Sequence, residues 1–106
     1  MNNAAIIAQL CKLGPLPDGS SARANAFPFL EFDALIQQLA EPLAPNHSLA
    51  LINLGPPVDT CALKVEWALV HAAESISPFA LHQVLVQADD TEVKRIIALR
   101  LANAEK

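Results

Sequence analysis

Eight prolines divide this chain of 106 residues into pieces of helix length. A proline lacks the backbone N–H and clashes with the preceding turn, so helices start or stop beside it and rarely run through it. The first piece is capped by Asn2 or Asn3 and runs to about Leu13, with Ile6, Leu10 and Leu13 on one face. Gly14-Pro15 stops it, because Gly suits the position after a helix and Pro cannot extend one. The stretch PLPDGSSARANAFP that follows is turn-rich, which predicts a mobile loop over about 14–27.

Pro28 is acceptable as a first helical residue, so a second helix is expected to begin near it. Phe32, Leu35, Ile36 and Leu39 recur at helical spacing until Pro42 ends or kinks the run. Asn46 can cap a short helix closed by Gly55. Leu49, Leu51 and Asn53 also fit a strand, but a lone strand would have no partner in this chain. A longer helix is expected from about Pro57 to Glu74, and another from Ser77-Pro78 to about Ala88. Asp89-Asp90-Thr91-Glu92 reads as a capping box in which the Asp89 carboxylate accepts from the Glu92 amide. The last helix then carries Val93, Ile96, Ile97 and Ala104 on one side. Short links make the last three helices antiparallel neighbours. The fold class is all-α: a single domain over 1–106, built as a compact antiparallel helical bundle or a helical-hairpin stack of five to six helices.

Composition narrows what such a domain can do. Hydrophobic residues make up 53% of the chain and charged residues 17%, against roughly 45–50% and 25% in average domains. That excludes intrinsic disorder and implies apolar surface left over once a small core is filled. A net charge of −4 argues against nucleic acid, which calls for a basic stripe. No apolar run is long enough for a membrane span, and the N-terminus lacks the basic start of a signal peptide. Two cysteines, Cys11 and Cys61, are too few for a disulfide framework, so a reduced cytoplasmic setting is expected.

Residue chemistry gives little toward an enzyme. His47, His71, His82, Cys11 and Cys61 show none of the i, i+4 or Cys-x-x-Cys spacings of a metal site, and no metal or cofactor is expected. Cys61 falls on the core face of the expected 57–74 helix and Cys11 beside Ile7, where cysteine acts as a small hydrophobe. Ser20 and Ser21 lack the strand–turn–helix setting of a nucleophile elbow. With Gly14, Gly19 and Gly55 the only glycines, no phosphate-cradling loop can be drawn. Arg100 falls inside the apolar face of the last helix. There it either snorkels to water near the helix end or meets a carboxylate such as Glu66 or Glu74.

The informative stretch is LKVEWALVHAAES, Leu63 to Ser75, which holds the only tryptophan. Wound as a helix, Val58, Ala62, Val65, Leu69 and Ala72 form one face, and Leu63, Trp67 and Val70 a second stripe behind it. The next helix repeats the pattern, with Leu81, Val84, Leu85 and Ala88 on the main face and Phe79, His82 and Val86 on the other. Either these are central helices covered by the chain's own first half, or the second stripes form an exposed groove. Aligning Trp67 with the leading Trp of a tetratricopeptide repeat puts His71 at its Gly, Glu74 at its Tyr, and Gln83 and Arg95 at its later Ala and Pro. That motif therefore fails.

The sequence thus predicts a non-enzymatic interaction module, adaptor or chaperone-like, that takes up a partner's apolar helix or a second copy of itself. The expected docking residues are Leu63, Trp67, Val70, Phe79, His82 and Val86. A second expectation is an acidic inhibitor of a basic target, steered by Glu66, Glu74 and Asp89. An enzyme would need His71, His82 and Cys61 to converge.

Overall fold

A computed structural model describes residues 2–104. Among these residues there are six α-helices and no strand. They are α1 (Asn3–Leu13), α2 (Phe29–Gln37), α3 (Pro45–Asn53), α4 (Val65–Ala73), α5 (Pro78–Gln87) and α6 (Glu92–Ala104), with a short 3-10 turn at Ala22–Ala26. The region 46–54 is helical, as the missing strand partner requires. The helices bury one shared core, including Ile6, Leu10, Phe32, Leu51, Ile52, Leu69, Leu81, Val93 and Ile97.

Local chemistry sets several helix ends. The Asn2 side chain accepts from the Ala5 amide at 2.8 Å, and Gly14 closes α1 with φ 90°, a conformation that other residues adopt only with strain. Pro28 precedes α2, and Ser77 with Pro78 opens α5. At α6 the cap differs from the expected box. Thr91, not Asp89, accepts from the amide three residues on, at Lys94, while its own hydroxyl donates to Ile52 O at 2.7 Å. The Glu92 carboxylate turns away to the Asp59 amide and the Arg95 guanidinium, because burial beside α3 favours those partners.

α3 is the hub, packing against α1, α4, α5 and α6. α2 rests on α1 and α4, and α6 on α3, α4 and α5. α4 and α5 do not pack together, although only residues 74–77 separate them; both lean on α3 and α6 instead. That departs from the expectation of successive antiparallel neighbours. Buried hydrogen bonds fix the arrangement: Ser48 donates to Ala73 O at 2.8 Å, tying α3 to the end of α4. The Asn3 amide both donates to and accepts from the Ala40 backbone, pinning the exit of α2 to α1.

The molecule measures 40 × 32 × 19 Å, a thickness of about two helix layers. In so thin a body an outer helix has one face inside and one outside.

The 14–27 segment is tethered at two points. Leu16 is buried and donates its amide to Leu54 O at 2.8 Å, and the Gly19 amide reaches Cys61 O at 2.7 Å. A Cβ on Gly19 would stand 2.7 Å from that same oxygen, so only glycine allows the approach. Residues 57–64, expected as the start of a long helix, are turns. Asp59, Leu63 and Lys64 there have φ of 63°, 54° and 69°. Cys61 is consequently exposed rather than on a helical core face, and Cys11 points outward from α1.

Candidate functional site

The structure separates the six residues expected to dock a partner. Phe79, His82 and Val86 lie together on the outer face of α5, with Phe79 75% and Val86 85% exposed. Leu81, Val84, Leu85 and Ala88 on the opposite face are buried, as the periodicity of this helix requires. At about 100° per residue, Val86, Gln83 and His82 all fall within about 60° of Phe79, so one outward stripe holds them. His82, Gln83, Val86 and Gln87 line a shallow depression of about 370 Å³. Between Pro78 and Gln87 there is no Asp, Glu, Lys or Arg.

The stripe of α4 is not a surface. Val70 is fully buried, which removes it from the candidate set. α4 packs on α2, α3 and α6, so only a narrow arc faces out, occupied by Trp67 and His71. Val70 lies about 60° to one side of Trp67, already within reach of the core. Leu63 is 63% exposed but precedes the helix in a left-handed turn, off any helical stripe. Val58, set at the origin of the expected wheel, is exposed as well.

Trp67 itself is 39% exposed and partly covered. The Arg100 guanidinium of α6 stands 6.0 Å from its ring centroid, and the His71 ring lies 6.0 Å away at 38°. Glu74 holds Arg100 from the end of α4 at 2.7 Å, so of the two expectations for Arg100 the carboxylate partner is met, at the surface. The arrangement is a cation–π contact locked by an ion pair, and it occupies much of what a partner would touch. Trp67 and Phe79 do not share one groove: their helices do not pack together.

The residues named for other chemistry are equally dispersed. Glu66 is buried, and its carboxylate accepts from the Ala62 amide at 3.0 Å. It organises the turn before α4 and cannot serve as an exposed steering charge. Glu74 is paired with Arg100, and Asp89 is exposed. His47 on α3, His71 on α4 and His82 on α5 stand apart, and among the described residues no three His, Cys, Asp or Glu side chains gather as a metal site. No helix among them is long and apolar enough to cross a membrane.

One feature has no local sequence signal. A groove of about 550 Å³ lies where the 15–23 segment meets residues 53–57 and 89–91, with Pro15, Pro17, Arg23, Pro57, Asp89 and Asp90 in its walls. Asp18, also in its lining, accepts from the Ser20 amide and hydroxyl, which holds its carboxyl below the ordinary range. Three segments distant in sequence build this groove, so no spacing rule could reveal it. Comparison with known protein families, with curated proteins and with solved structures gives no match.

Proposed function

We propose that this chain is a helical protein-interaction module, adaptor or chaperone-like, which docks another polypeptide on the outer stripe of α5. The observation behind it is that α5 alone among the described helices exposes two large apolar side chains on one face. Burying a side chain of the size of Phe or Val contributes about 1.5–3 kcal/mol relative to leaving it in water. No charge on α5 has to be desolvated when a partner helix lies along it. Leu63 and Trp67 stand outside this stripe, and Val70 belongs to the core. Exposed, unlinked Cys11 and Cys61 fit a reducing compartment such as the cytoplasm.

A photo-crosslinking side chain placed at Phe79 or Val86 tests this in extracts of the native host. A discrete protein adduct is expected from both positions and none from Ala8, exposed on α1, a helix that does not pack on α5. Equal labelling from all three positions, or no adduct at all, overturns the reading.

A second reading, an acidic inhibitor of a basic target, is favoured by Asp18, Asp89 and Asp90 lining one groove. It requires binding that weakens steeply with salt and with Asp89→Asn/Asp90→Asn. Apolar docking on α5 is nearly insensitive to both.

A further inference from the structure

We infer that the polypeptide docked on α5 is a second copy of this chain, paired antiparallel about a twofold axis that passes between His82 and Gln83. The inference rests on α5 being a docking surface and names its occupant.

A twofold interface must be self-complementary: if one residue touches another across it, the reverse contact forms as well. Phe79 and Val86 are equidistant from the midpoint of His82 and Gln83 along α5. Antiparallel pairing about that midpoint sets Phe79 against Val86 of the second copy, twice, and His82 beside Gln83 of the second copy, twice. Each contact joins unlike side chains, an aromatic ring with a branched aliphatic group and an imidazole with an amide.

Charge selects the same geometry. The chain carries −4, so two copies repel unless they meet where neither is charged, and α5 is such a face. The nearest carboxylates, Asp89 and Asp90, follow its C-terminal end. In an antiparallel pair they approach the N-terminal end of the other α5, the positive end of its dipole. In a parallel pair they would face their own counterparts.

Area sets the strength. A helix of ten residues is about 15 Å long and buries less than a stable dimer needs, so a dissociation constant on the order of 100 µM is expected.

The test uses the intact chain with Cys11→Ser and Cys61→Ser, both exposed positions. Phe79→Cys and Val86→Cys proteins are oxidised separately and as an equal mixture. The mixed disulfide is expected to exceed either homodisulfide by about tenfold, because only that pair brings the sulfurs within bonding reach. Sedimentation of the protein without these cysteine probes should show mass rising with concentration, and Val86→Glu should abolish the rise. Dominant homodisulfides overturn the antiparallel geometry. A monomer at millimolar concentration that still gives a photo-adduct with a different protein overturns the second copy and leaves the docking surface standing. A monomer with no adduct overturns both.

Discussion

Residues 57–74 and helix α5 look alike in sequence and behave differently in the fold. Each carries a broad apolar face and a second stripe behind it. In α5 both faces form as the periodicity dictates, one buried and one exposed. In 57–74 only the second half is helix. The difference lies in where the backbone hydrogen bonds go. α5 is closed by its own neighbours: Ser77 accepts from the Ala80 amide at 3.3 Å, and Pro78 occupies the first turn, where no donor is missed. In 57–64 the polar groups that would close a helix are taken by distant partners. The Glu92 carboxylate takes the Asp59 amide at 2.8 Å, and the Cys61 carbonyl takes the Gly19 amide. Periodicity describes what a segment can form alone; it carries no information about competition from residues far along the chain.

The largest expected effect sharpens the two-faced reading of α5. Leu81→Ala, on the buried face, should cost about 2–5 kcal/mol in urea unfolding. A loss below about 0.5 kcal/mol would mean the inner face is not core.

Next comes the tertiary clamp on 57–64. Glu92→Gln removes the charge that joins Asp59 and Arg95 and should cost about 1–3 kcal/mol at neutral pH. The Arg95 hydrogen bond holds the Glu92 carboxyl below its ordinary value of 4.5; burial opposes this, and the Asp59 amide and the Arg95 charge add to it. With the folded pKa below the unfolded one, this contribution is complete above the unfolded pKa and disappears as pH falls through the folded pKa. The acid limb of stability should therefore flatten in Glu92→Gln, and an unchanged limb would argue against the clamp.

The backbone of Lys64 offers a test of sign. Glycine inside a helix costs about 1 kcal/mol relative to alanine. At a left-handed residue glycine relieves strain instead, so Lys64→Gly should be neutral or stabilising by up to about 1 kcal/mol. Clear destabilisation would restore the continuous 57–74 helix. The smallest effect belongs to the outer stripe. Val86→Ser should leave monomer stability within about 0.5 kcal/mol, and a larger loss would show that Val86 is covered by its own chain.

Much of the fold was legible because the signals were local. The Asn2 cap and Gly14 stop of α1, the Ser77-Pro78 start of α5 and the helix at 46–54 all follow from neighbours within four residues. The candidate site was legible on α5 only. Val70 was misplaced because α4 is pressed on three sides, so its core arc is wider than one apolar face implies. Glu66 looked like a surface charge because nothing local reveals the Ala62 amide that it satisfies in the interior. Thr91 replaced Asp89 as a cap because its hydroxyl also reaches the buried Ile52 carbonyl, a partner 39 residues away.

The sequence by itself determined an all-α domain, the spacing of its breaks and the two faces of α5. These depend on proline sterics, capping side chains and the helical repeat, all of which act within a few residues. Only the tertiary structure decided that 57–64 would not be helix, that α4 would be buried nearly all round, and that Arg100 would cover Trp67. Each of those outcomes is set by hydrogen bonds and packing between residues that meet only after the chain has folded.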